Sequence, residues 1–167
     1  MSAVVAALVL VPLAAALLVA FSYRAPERTA DAIANVAVAV VLGLGIVLAG
    51  PVLGGTTPSW SLGSDSAPGV SLRADALSLL LLLVVAAGSL AASVYSISYM
   101  GSYTSKAKYY VLFLLMLAGM NMVVLGADIV NLYIGIEIAA LACYALVAYG
   151  LGRDYLEASF KYQVLGT

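Results

Sequence analysis

The 167-residue sequence has no histidine and one cysteine, Cys143. A lone cysteine excludes a disulfide within the chain. Without histidine partners it also excludes a Cys-rich zinc site or a thiolate-held iron–sulfur cluster built from this chain alone. No cofactor is therefore expected, and any redox chemistry falls to a partner. Charge is scarce as well. Only 9% of residues are charged, against about 25% in a soluble domain, which is too few to cover a water-facing surface. A net charge of −1 leaves no basic footprint for nucleic acid.

What is present is apolar. Hydrophobic residues make up 65% of the chain, and mean hydropathy is +1.13. Five segments, at about 3–23, 32–53, 76–99, 109–126 and 129–150, are long enough or nearly long enough to span a bilayer. A span needs about 20 mostly apolar residues. A sixth segment starts near 155 and runs to 167. The apolar runs are continuous and lack the period-two alternation of barrel strands, so helices are expected. The expectation is an all-α membrane protein: one transmembrane domain over 1–167, multi-pass, in the inner (cytoplasmic) membrane.

The first segment has no positive residue before its apolar run, and the run exceeds a signal peptide's usual h-region. A retained helix is the reading, with a cleaved signal as the alternative. Pro12 lies inside it, so a neighbouring group must satisfy the carbonyl that proline frees. Residues 54–74 are rich in Gly, Pro, Ser and Thr and read as a loop. Trp60 reads as an interfacial anchor or, alternatively, a stacking residue. Asp75 is placed to cap the third helix. Tyrosines at 95, 99, 103, 109 and 110 fit an aromatic belt.

Charge sets the orientation. With the N-terminus outside, Arg24, Arg28, Lys106, Lys108, Arg153 and Lys161 fall on the inner side and only Arg73 outside. Six of the seven Lys/Arg residues then obey the positive-inside bias.

The stretch DIVNLYIGIEIAALACYALVAYG, 128–150, carries the chemistry. Glu137 is its only internal acid, roughly 13 Å from Asp128 at 1.5 Å per residue, near the middle of the span. An acid there costs at least ~2.5 kcal/mol on the gentlest scale and marks a functional site by default. Tyr133 and Tyr144 share its helix face. Such a carboxyl, poised between desolvation and a nearby cation, suits proton loading and release. The alternative is a permanently neutral acid bonded to a neighbouring helix. The short turn at 126–128 demands a tight antiparallel pair of helices. Gly135, Ala139, Ala140, Ala142 and Cys143 allow close approach, so the fifth helix is expected to be buried in protein. Asn121 in the fourth helix is expected to face it, as interhelical glue or as lining of a polar path. Asp154 and Glu157 read as a capping box, and Glu157 and Lys161 as an i,i+4 pair. Lys161, about 10 Å into helix six, is either a snorkelling lysine or part of an intramembrane relay.

These residues resemble the antiporter-like subunits of the Mrp antiporter, membrane-bound hydrogenase and respiratory complex I superfamily. The likeness lies in N-L-Y-x-x-x-E over 131–137 with Tyr144 after it, E-A-x-x-K-Y over 157–162, ADALSLLLLL at 74–83 and YSISYM at 95–100. It covers about 70–167, with the first third similar only as two hydrophobic helices. The resemblance implies that Glu137 is the ion-path glutamate of helix five and Lys161 the lysine opening helix six. The family's broken helix seven, its lysine and the second repeat are missing. The chain is thus expected to be the N-terminal part of an ion-translocating subunit, not catalytic alone, split or truncated. Other membrane subunits, one of them supplying the remaining helices, would be its partners in the bilayer. A structural or assembly subunit and an independent small transporter are the alternatives.

Overall fold

The computed structural model describes residues 1–22, 26–62, 69–100, 105–150 and 152–166. Within them the chain forms α1 (Ser2–Phe21), α2 (Glu27–Leu53), β1 (Ser59–Leu62), β2 (Val70–Arg73), α3 (Ala76–Tyr99), α4 (Lys106–Leu125), α5 (Ile129–Val147) and α6 (Arg153–Gly166). A single 3-10 turn, Ala148–Gly150, follows α5. Five of the helices are long and apolar enough to cross a membrane, matching the five apolar segments. α2 starts earlier than its apolar run because its charged first turn is helical too. Arg24 and Tyr103, assigned above to the inner side and the aromatic belt, lie outside the described residues.

Asp75 caps α3 as its sequence suggests, and Asp128 is a second cap, one not foreseen from the sequence. Asp75 accepts from the Ser78 backbone N–H at 2.8 Å, and Asp128 from that of Asn131 at 2.8 Å. Each satisfies one donor that a helix start leaves open. Asp154 does not cap α6. The helix begins at Arg153 and Asp154 lies within its first turn, where a negative charge still complements the helix dipole.

The stretch at 54–74 is not all loop. β1 and β2 pair as an antiparallel hairpin, with Trp60 opposite Leu72. Strands of four residues are too short to show alternation against a Gly- and Pro-rich background. The hairpin puts Leu72 into the core, 2% exposed, with Trp60 half-buried against the same cluster. Trp60 is therefore a packing residue at the end of the bundle. The edge of β2 continues onto the α4–α5 turn: Leu72 bridges Gly126, and the Ala127 N–H donates to the Ser71 carbonyl at 3.0 Å.

The helices alternate up and down around two apolar clusters. Near the hairpin, Val5, Leu8, Leu48, Leu79, Leu82 and Leu125 pack together. At the opposite end Val19, Ala34, Val38, Tyr110, Leu114 and Leu117 do so. Tyr110 is fully buried and so does not belong to an interfacial belt. Tyr95 and Tyr99, stacked with centroids 5.3 Å apart and exposed, fit one.

Pro12 sits inside α1 and has no N–H to give Leu8, four residues back. The Asn121 side-chain amide of α4 donates to that Leu8 carbonyl at 2.7 Å. Asn121 is interhelical glue, but it faces α1 and not α5.

Between α4 and α5 the contact is backbone on backbone. A Cβ on Gly119 would lie 2.6 Å from the Ala139 nitrogen, and one on Gly135 2.9 Å from the Val123 nitrogen. Small residues at these places let the helices touch.

Candidate functional site

α5 is held at its start by a polar latch. The Asp128 carboxylate accepts from the Ser71 hydroxyl of β2 and from the Asn131 side chain. Asn131 also donates to the Gly69 carbonyl at 3.3 Å. The Ser71 hydroxyl, then the Asn131 N–H, hold the Asp128 carboxyl below its ordinary range. At the other end the Tyr149 hydroxyl donates to the Ser105 carbonyl ahead of α4.

This mounting turns one face of α5, with Asn131, Gly135 and Ala142, onto the rest of the chain. Glu137 is on the opposite face and exposed, as is Tyr133 at 62%. The burial expected for the fifth helix therefore holds for one side only. The Gly135–Ala139 side takes α4, and on the other side Tyr133 and Glu137 are left exposed among the described residues. Tyr133, one turn before Glu137, interacts with its carboxylate. Tyr144 closes the same stripe further on. Its ring meets Tyr162 of α6 edge to face at 5.1 Å, and its carbonyl accepts from the Ser159 hydroxyl at 2.7 Å. Tyr133, Glu137 and Tyr144 thus form the single stripe that the spacing predicts, exposed at Tyr133 and Glu137 and partly covered by α6 at Tyr144.

Lys161 is brought to Glu157, 2.6 Å away in an exposed i,i+4 pair. Among the described residues no ion pair or hydrogen bond joins it to Glu137. Asn121, engaged with α1, is not on the Glu137 stripe. Cys143 is half-buried and forms no disulfide, as a packing residue would be.

Sequence reasoning missed a second charged centre. Asp31 of α2 and Lys106 of α4, each 9% exposed, are paired at 3.3 Å. Lys106 had counted only as an inner-side charge. The available signal was Asp31 and Asn35 at i,i+4, which puts an acid and an amide on one face of an otherwise apolar helix.

The sequence matches the family described as NADH-Ubiquinone oxidoreductase (complex I), chain 5 N-terminus, over residues 60–110. These cover the hairpin, α3 and the first turn of α4. NADH-quinone oxidoreductase subunit N of Desulforudis audaxviator (strain MP104C) is 40% identical over 101 residues, 59% of this chain and 20% of that protein. A Na(+)/H(+) antiporter subunit of Bacillus subtilis (strain 168) is 34% identical over 105 residues, 62% of this chain and 21% of that protein. A chain of the membrane-bound sulfane sulfur reductase, an archaeal respiratory membrane complex, superposes with a TM-score of 0.89 at 28% identity. The chain resembles the antiporter-like membrane subunits. The superposition covers 98% of this chain and 34% of the reductase chain. The structural likeness therefore includes α1 and α2. The chain spans about a fifth of the length of these curated relatives.

Proposed function

We propose that this chain is the N-terminal part of an antiporter-like subunit in a multi-subunit, ion-translocating membrane complex, and that Glu137 belongs to its ion path. The observation that carries the reading is the exposed Tyr133–Glu137 part of that stripe, on a helix fixed by α4 and the hairpin. A mid-span carboxylate is not left to lipid, because the cost is too high. This exposed part is then the surface that further helices of the complex complete. Tyr133 and Tyr144 line the path beside Glu137. Lys161 joins the path once those helices are in place, exchanging Glu157 for a partner in the membrane. The N-terminus lies outside, so that Arg28, Lys106, Lys108 and Arg153 share the inner side.

Proton or sodium chemistry like that of the Na(+)/H(+) antiporter relative comes to this chain only through such a complex. The test is Glu137→Gln in the assembled complex, with subunit content and ion transport measured together. Loss of transport with intact assembly is the expected result. Full transport in the variant refutes the role of Glu137. A structural or assembly role is the second reading. It is favoured by the engagement of Lys161 with Glu157, and it predicts a silent Glu137→Gln.

A further inference from the structure

A groove opens on the side of the bundle where the last turn of α1 meets the first turns of α4. Val19 and Ala20 line it from α1, and Ala107, Lys108, Val111 and Leu112 from α4. Ala20 and Ala107 leave unfilled the space that larger side chains would take. The groove holds about 400 Å³, within the range of about 300–1,000 Å³ usual for small-molecule sites. Along α4 it runs from Ala107 to Leu112, about 7.5 Å at 1.5 Å per residue.

Lys108 is the only polar residue among those that line it. Lys108 is exposed, and among the described residues it has no ion pair or hydrogen bond. The other two lysines differ, because Lys106 is buried on Asp31 and Lys161 pairs with Glu157. Lys108 stands in the first turn of α4, a helix long and apolar enough to span. A lysine so placed lays its stem along apolar surface and keeps its ammonium at the level of the lipid headgroups. The groove therefore joins an apolar wall to an uncommitted positive charge.

These features select the occupant. A helix is about 10 Å across, and one and a half turns of α4 give it too short a seat. A neutral polar headgroup finds no uncharged donor or acceptor side chain here. A phosphate finds the ammonium, and basic pockets between spanning helices take anionic lipid headgroups. Apolar contact by itself selects little in a bilayer, where lipid tails are as apolar as leucine. Selection therefore falls to Lys108. We propose that the groove binds an anionic phospholipid, with an acyl chain against Val19, Ala20, Val111 and Leu112 and the phosphate on the Lys108 ammonium. The site shares no residue with the Glu137 stripe, and its test involves no transport.

The experiment is native mass spectrometry of the full chain, titrated with phosphatidylglycerol or with phosphatidylethanolamine of the same acyl chains. One lysine should favour the anionic lipid about fivefold. Lys108→Met keeps an apolar stem and should abolish the preference, whereas Lys108→Arg should retain it. Ala20→Phe fills the groove and should weaken binding of both lipids. Arg28→Gln removes another exposed cation at the same end of the bundle, off the groove wall, and should leave the preference in place. Equal binding of the two lipids by the wild-type chain overturns the proposal, as does a preference that survives Lys108→Met. Unchanged binding in Ala20→Phe overturns it too. Equal losses in Lys108→Met and Arg28→Gln also overturn it, since diffuse attraction then accounts for the preference. In membranes holding the assembled complex, phosphatidylglycerol with a photoreactive acyl chain should label residues 19–20 and 107–112. Labelling spread evenly over the helices, or a groove shielded by another subunit, refutes the site. The Lys108 comparisons stand even where Ala20→Phe fails to fold.

Discussion

The contact between Asn121 and Leu8 can be tested by restoring the bond that Pro12 removes. The Leu8 carbonyl is deep in the bundle and accepts from Asn121 at 2.7 Å. In Asn121→Leu this carbonyl has no other donor, because residue 12 is a proline. Interhelical hydrogen bonds in membranes average about 0.6 kcal/mol and reach about 1.7, and stranding a buried acceptor costs about 1–3 kcal/mol. The fully buried Asn121 should fall near the top of the membrane range, at about 1.5 kcal/mol. In a Pro12→Ala background the residue-12 N–H closes the helical bond to Leu8, and the cost of Asn121→Leu should drop to about 0.5 kcal/mol. The coupling is then about 1 kcal/mol, above the ~0.3–0.5 within which independent sites add. Denaturant unfolding of the four proteins in mixed micelles measures it. Equal costs of Asn121→Leu in both backgrounds would refute the proline-rescue explanation.

Gly119→Ala puts a Cβ 2.6 Å from the Ala139 nitrogen and should destabilise by about 1–3 kcal/mol as overpacking. Gly88→Ala, with open space at its Cβ, is the control and should be neutral or mildly stabilising in the same unfolding assay. Asp128 has its carboxyl lowered by Ser71 and Asn131. Its charge therefore contributes stability that is fully present above the ordinary carboxylate range and is lost as pH falls through the lowered value. Asp128→Asn keeps a good cap but flattens this acid limb. Its thermal midpoint should converge on that of the wild type at low pH, and parallel curves would count against the latch. Lys106→Met strands a buried carboxylate and should cost about 3–5 kcal/mol, whereas pairing it with Asp31→Leu should recover most of that loss. An undiminished loss in the double variant would show that the two residues act separately.

The bundle was legible because lipid-spanning helices announce themselves by run length, and the cap at Asp75 by residue type. The hairpin was not, because its strands are short and owe their existence to the Leu72 anchor and the α4–α5 turn. For Asn121 the residue type showed a buried hydrogen bond, and Pro12 showed an orphaned carbonyl. Only the packing of α1 on α4 showed that one answers the other. The Tyr133–Glu137–Tyr144 stripe followed from helical spacing. The engagement of Lys161 with Glu157 was equally readable from spacing. Asp31 and Lys106, separated by 75 residues, were hidden because lysines at helix ends ordinarily report topology.

The Gly119–Gly135 contact has a bearing on motion. Helices that touch through their backbones have no side-chain layer to absorb rotation or sliding. α4 and α5 must therefore move as one body, and the direction in which Glu137 points is fixed relative to the bundle. Any opening or closing around that carboxyl falls to side-chain torsion, or to elements arriving from the exposed side.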